Sequence, residues 1–304
     1  MTFPKADEKF TLNVIPLLED HLIHLDKYNC DRFASIIEAA EGDPEVKMMN
    51  KRVDADLEKS FYPELRKLTG LTDADAKKLR YVCNYINWAV LSDVELKFEL
   101  NEQQVKLCKM VQNTKNLALF ESSPELWQSY TYEIAHLLRD LTKVQEGQQE
   151  LSDSTTFMKY YARLGKDKPL EETPKFIFYS GHSETLKPLI RLFGARDLIP
   201  FSVPASSMML FNFYQEQNET QAKHTVDLVY VRGEQDPLVL FSDTSEALAQ
   251  LMTKKIDDYN TQLGLKDATI EAICDLPLAE GAFKLAMDAK KFQEELYKYY
   301  NFQP

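Results

Sequence analysis

His182, Ser183 and Glu184 set an imidazole, a hydroxyl and a carboxyl at three consecutive positions, directly after Gly181. An imidazole at the start of a helix can contact an anion, and the free amides of the first helical turn add donors of their own. The flanking residues predict the elements that would hold them. Phe176 to Tyr179 are four bulky β-formers in a row, the pattern of a strand covered on both faces. Gly181 permits a tight turn. Ser183 suits an N-cap, and Leu186, Leu189 and Ile190 then recur at helical spacing. Pro188 falls early in that helix and leaves the carbonyl of Glu184 without its usual donor. His182 is thus expected where a parallel sheet meets a helix N-terminus, a common place for an anion.

The stretch Tyr179-Ser-Gly-His-Ser-Glu-Thr-Leu186 resembles the C-terminal signature of the histidine acid phosphatases, Ser-x-His-Asp-x-Thr-Leu. These belong to clade 2 of the histidine phosphatase superfamily, and further stretches are similar to the prostatic and lysophosphatidic type. Leu12-Asn-Val-Ile-Pro16 and His21-Leu-Ile-His-Leu25 resemble the extended segment before that type's Cys-Pro-Arg-Phe, which here reads Cys30-Asp-Arg-Phe33. Glu64-Leu-Arg-Lys-Leu-Thr-Gly-Leu71 resembles a helix end leading into its cap. Pro204 to Tyr214 and Val226 to Gly233 resemble its closing pair of strands. The resemblance runs from about Leu12 to Cys274. It implies a three-layer α/β/α sheet domain with a large all-helical insertion.

The chain departs from the family at two places that carry the chemistry. The family's nucleophile is a histidine in Arg-His-Gly-x-Arg. The five histidines here are His21, His24, His136, His182 and His224, and none follows an arginine. By the resemblance, the sequence starts past the first half of the sheet. At Ser183 the family has the aspartate that protonates the leaving alcohol. Serine has no proton-transfer pKa near neutrality. Glu184 is the next carboxyl, about 100° further round a helix. A phosphohistidine mechanism needs a neutral imidazole, arginines for the equatorial oxygens and an acid for the departing oxygen. Of that set only His182 maps onto this chain, and in the family it binds phosphate.

The resemblance therefore implies an incomplete fold of this type. The expected function is that of a catalytically inactive pseudophosphatase, a structural or assembly subunit whose protein partner covers the incomplete sheet. The alternative is an acid phosphatase whose N-terminal catalytic half lies outside this sequence or on another chain. His182, Ser183 and Glu184 are vestigial catalytic residues in this reading. His182 is the phosphate contact, and no metal and no cofactor are expected.

The 304 residues are 44% hydrophobic and 28% charged, enough for one large or two small folded domains. The formal net charge of -12 argues against nucleic acid or an anionic membrane as partner. No apolar run approaches the ~18–20 residues of a membrane helix. The polar start, Met1 to Lys9, reads as neither signal nor transit peptide. The expected location is the cytoplasm or an intracellular assembly, or a secretory or lysosomal one if residues precede Met1. Cys30, Cys83, Cys108 and Cys274 make no CxxC or metal spacing. Two readings stand: four reduced thiols, as expected without a signal peptide, or a Cys30–Cys274 bridge, which the resemblance implies. By the same resemblance Cys83 matches a second bridge cysteine, but its partner strand near Ser206 to Leu210 holds no cysteine.

Three regions follow along the chain. Residues 1–29 form an extended lead joining the sheet domain, 30–171 a helical cap and 172–304 the C-terminal half of the α/β domain. In the cap, helices are predicted from Asp31, again from Pro44 to Leu68 with a kink at Pro63, over Asp73 to Leu91, over Glu102 to Phe120 and from Pro124 to Leu141. Leu79, Val82, Cys83, Ile86 and Val90 share one helix face, and Tyr130, Ile134, Leu137, Leu138 and Leu141 another. Strands are expected at 175–180, 207–215, 226–232 and 238–241, with a last helix from Gly281 to Tyr300. His21 and His24 lie three apart, on opposite faces of a strand, and His224 is expected in a loop. Arg191 and Arg196 could reach a phosphate, but read better as solvated surface. The run Tyr297 to Phe302 either caps the core or forms an exposed docking patch.

Overall fold

The computed structural model describes residues 30–114, 121, 123–145, 178–179, 181–198, 201, 203, 207–217, 222–232, 236–266, 268–278, 283 and 285–304. The chain forms two compact units, each drawn from separated stretches. One comprises Arg32–Trp127, Gly194–Ser207 and Pro277–Pro304, and the other Met1–Asp31, Gln128–Phe193 and Met208–Leu276.

The first unit is helical. It holds α1 (Asp31–Gly42), α2 (Pro44–Ser60), α3 (Tyr62–Thr69), α4 (Ala76–Leu91) and α5 (Glu102–Asn113). Each boundary has a local cause. Asp43 accepts from the amides of Glu45 and Val46 at 2.8 and 3.1 Å, ahead of Pro44 at the first helical position. Pro63 has no N–H for the carbonyl of Lys59, so the chain breaks at Phe61 before α3 begins. Gly70 ends α3 at a φ of 70°, which glycine adopts without strain. Asp75 caps α4 through the amide of Lys78 at 2.8 Å. Asn101 and Gln104 satisfy each other's backbone amides at the start of α5, at 2.9 and 2.8 Å. A later helix of this unit spans Ala289–Tyr299 and is capped by Asp288.

These helices enclose one apolar core. Val53, Leu57, Leu65, Leu79, Cys83, Ile86, Cys108, Phe292 and Leu296 are fully buried in it. Phe201 meets Phe292 near edge-on at 5.4 Å. The C-terminal aromatic run caps this core: Tyr300 and Phe302 are buried, Tyr297 packs against the cluster, and Tyr299 is half exposed. Their hydroxyls are anchored, with Asn113 donating to Tyr300 at 2.6 Å and Tyr297 donating to Asp56 at 2.9 Å. Burial and the Asp56 carboxylate push the Tyr297 hydroxyl above its usual range. Arg32 and Glu125 form a buried pair, with Arg32 Nε donating at 2.7 Å and its Nη1 satisfying the carbonyl of Pro277 at 2.8 Å.

In the second unit β1 (Met208–Gln217), β2 (Ala222–Val231) and β3 (Leu238–Thr244) form an antiparallel sheet in the order β1-β2-β3. Met208 pairs with Val231 and Gln217 with Ala222, a hairpin register, and a bulge interrupts the β2–β3 pairing at Leu228/Val229. Val226, Leu228 and Tyr230 alternate inward along β2. Thr244 ends β3 and caps the next helix, which spans Ser245–Leu263 and buries Leu248, Met252, Ile256 and Tyr259. A long helix over Pro124–Gln145 (α6) contributes to this unit from Gln128 onward. Helix α7 covers Ser183–Leu192, so the last two helices named are α8 (Ser245–Leu263) and, after the short α9 (Ile270–Cys274), α10 (Ala289–Tyr299). Cys30 and Cys274 are joined by a disulfide with Cα atoms 4.6 Å apart, so the reading of four reduced thiols is corrected.

Several expectations change. No strand includes Phe178 or Tyr179, the described residues of the predicted strand 175–180, and Phe178 is 72% exposed. The sheet is antiparallel throughout the described residues, so it is not a parallel sheet that leads into His182 there. On α4, Val90 points to solvent while Ala89 and Asn87 are buried, because the inward face turns past Ile86. α6 runs to Gln145 rather than Leu141. α10 starts at Ala289 rather than Gly281. The architecture is mixed helix and small sheet, α/β in the broad sense. No helix among the described residues is long and apolar enough to cross a membrane.

Candidate functional site

α7 begins one residue earlier than its sequence suggests: His182 is the N-cap, with extended backbone at φ -120°, and Ser183 is the first helical residue. Thr185 explains the shift. Its hydroxyl accepts from the His182 amide at 3.4 Å, and the His182 carbonyl accepts from the amides of Thr185 and Leu186 at 3.1 and 3.2 Å. The helix is held from below. Leu189, Ile190 and Leu192 are buried, and Phe193 meets Phe211 of β1 and Phe241 of β3 at 6.3 and 6.1 Å. Pro188 sits inside the helix, four residues after Glu184.

Gly181 and His182 are exposed at the mouth of this helix, and Ser183 is partly so. Glu184 is the second helical residue, and its side chain lies outside the described structure. The start of α7 therefore sets an imidazole and a hydroxyl beside a solvent-exposed helix N-terminus, where anions are favoured. The Ser183 hydroxyl cannot serve as the acid for an alkoxide leaving group.

The other sequence candidates divide. His21 and His24 lie outside the described residues. His224 stands on β2 opposite Gln215, not in a loop. Arg196 is not a solvated surface residue: its guanidinium reaches Glu121 at 3.0 Å and Glu295 at 2.9 Å. Two carboxylates already neutralise it, so it is not available as a phosphate clamp. Among the described residues no cluster of histidine, cysteine, aspartate and glutamate could hold a metal ion.

The sequence reasoning passed over a polar layer on α6. Ser129 and Tyr259 share a hydrogen bond at 2.5 Å, and the Tyr132 hydroxyl is within 3.0 Å of Asn260 and 2.7 Å of the Ala268 carbonyl. One turn on, Arg139 bonds Asp140 at 3.0 Å and His136 Nδ1 at 3.1 Å. A guanidinium only donates, so Nδ1 accepts and the ring proton belongs on Nε2, which is buried without a hydrogen-bond partner among the described residues. Burial first, then the Arg139 cation, pull the His136 pKa down to about 4. The signal was present in the sequence: Ser129, Glu133, His136 and Asp140 recur at helical spacing, but polar spacing reads by default as a solvated face.

On α4, Tyr81, Tyr85 and Trp88 follow one another at helical spacing and are each more than half exposed, with the Tyr85 and Trp88 rings 6.3 Å apart. No family model matches this chain, and no curated protein is found to match it.

Proposed function

We propose that this chain is a histidine-acid-phosphatase-like protein that binds anions at the start of α7 but does not itself catalyse hydrolysis, and that it serves as a structural or assembly subunit. The observation that carries this reading is the His182–Ser183 helix start, which is exposed to solvent at His182 and has serine where the resemblance places the leaving-group acid. The sequence also contains no Arg-His-Gly to supply a phosphohistidine. Arg196, one of the two arginines considered for a phosphate, is engaged by Glu121 and Glu295. The finer fold assignment, an incomplete three-layer histidine-phosphatase sheet with a helical cap, is part of the proposal. It is supported by the ordered motifs from Leu12 to Cys274 and by the Cys30–Cys274 bridge, which that resemblance implies. A protein partner is the expected ligand of such a subunit, and the exposed aromatic face of α4 supports a contact role.

The test is hydrolysis of p-nitrophenyl phosphate by the full chain from acid to neutral pH, beside a His182→Ala chain. Equal, background rates are expected for both, while phosphate added to the unsubstituted chain alone broadens or shifts the His182 imidazole resonances. Turnover above background that disappears in His182→Ala overturns the proposal. The Cys30–Cys274 bridge favours a second reading, an acid phosphatase whose nucleophile lies outside this sequence. Protein isolated from its source that carries an Arg-His-Gly segment and forms a phosphohistidine would establish that reading instead.

A further inference from the structure

Cys83 on α4 and Cys108 on α5 are both fully buried in the helical core, 25 residues apart in sequence. The Cys108 thiol points at Cys83, with the two sulfurs 2.8 Å apart. That is close for unbonded sulfurs and beyond the ~2.05 Å of a covalent S–S bond. As reduced thiols the two share at most a weak S–H···S hydrogen bond, in which Cys108 donates. The chain also already carries one disulfide, Cys30–Cys274. An environment that closes that bridge presents oxidised sulfur to this pair as well.

We infer that Cys83 and Cys108 are a second disulfide site, which joins α4 to α5 by exchange with a low-molecular-weight disulfide while the chain folds. One protein thiolate attacks a sulfur of the small disulfide, giving a mixed disulfide and releasing one small thiolate. The other protein thiolate attacks the protein-borne sulfur of that intermediate and releases the second small thiolate. The two protons lost by the cysteines end on the two small thiols. The protein sulfurs are oxidised by two electrons and the small disulfide is reduced by two.

Timing follows from burial. In the folded core the contact with Cys108 and the loss of water hold the Cys83 thiol protonated, well above its ordinary range. The attacking thiolate is therefore available before the core closes, or when α4 and α5 part, and not in the packed state. Once formed, the bond is shielded from reductants for the same reason. Closing a loop of this length is expected to lower the unfolding equilibrium constant on the order of a hundred-fold or more.

The full chain is reduced, unfolded and refolded in mixed reduced and oxidised glutathione, then acid-quenched, alkylated and digested without reduction. The expected digest contains a peptide joining Cys83 to Cys108 beside the one joining Cys30 to Cys274. A Cys83→Ser chain treated alike should show Cys108 fully alkylated. Refolded protein with native circular dichroism and both Cys83 and Cys108 alkylated overturns the inference, as does Cys83 joined to Cys30 or Cys274. If the chain does not refold, the same digest of protein expressed in an oxidising compartment reads the same bond and is decided by the same outcomes.

Discussion

The helical core around Phe292 and the mouth of α7 around His182 are built in opposite ways. In the core, four helix starts carry an oxygen side chain that closes on its own first turn: Asp43, Asp75, Asn101 and Asp288. Beneath them, Leu57, Leu65, Leu79, Ile86, Phe292 and Leu296 are shut away from water. At α7 the N-cap is an exposed histidine, and the residues just before it include Phe178, an aromatic ring left mostly in solvent. The first arrangement uses its side chains to stabilise the fold. The second leaves an imidazole and an apolar ring exposed to solvent. That contrast is why the proposed anion contact is placed at α7 and the proposed disulfide in the core.

The comparison is tested most severely at Phe292. Its ring is completely buried against Phe201, so Phe292→Ala should cost about 3–5 kcal/mol of unfolding free energy. Urea denaturation at neutral pH measures this. A loss below about 1 kcal/mol would mean that the core collapses around the gap and is not a close-packed unit.

The next largest effect is expected from His136, in the other unit. Its folded pKa of about 4 lies below the ordinary value of 6.5. The unfolded chain therefore takes up a proton first as pH falls. The contribution of neutral His136 is fully present above pH 6.5 and is lost as pH drops toward 4. Between pH 7 and pH 5 the unsubstituted chain should lose about 2 kcal/mol that a His136→Gln chain does not lose. Parallel pH profiles for the two chains would show instead that the imidazole is solvated when folded.

What was legible in the sequence tracks the same contrast. Helix breaks were readable because Pro44, Pro63 and Gly70 act within a few residues of themselves, whatever surrounds them. The β1 and β2 strands were expected close to where they lie, their pairing by resemblance, and Val226, Leu228 and Tyr230 turn to one buried face. Phe178 and Tyr179 were misread as strand because a run of β-formers records propensity, and burial is decided by tertiary partners that no local pattern contains. The polar layer at Ser129, His136 and Asp140 was missed for the converse reason. A polar stripe looks the same whether it meets water or the Tyr259 and Asn260 side chains. The Cys83–Cys108 approach joins two helices across the core, and cysteine spacing alone does not encode it.

A smaller effect is expected at Asp75, whose carboxylate accepts from the Lys78 amide at 2.8 Å. Asp75→Ala removes that acceptor from an exposed helix start and should cost about 1 kcal/mol. Asp75→Asn keeps the acceptor and should recover most of it. If both substitutions cost the same, the charge beside the first turn matters more than the hydrogen bond.

The smallest expected effect is the most direct test of the mouth of α7. Phe178 is 72% exposed and outside any strand. Phe178→Ala should then change stability by no more than about 0.5 kcal/mol, as for other surface positions. A ring packed on both faces of a strand would instead cost about 3–5 kcal/mol, the loss expected at Phe292. The two outcomes differ enough for a single pair of urea curves to separate them. A large loss would return Phe178 to a covered strand and withdraw the helix start from solvent, and the anion site at His182 would lose the exposure on which it depends. A negligible loss leaves the ring as free surface beside His182.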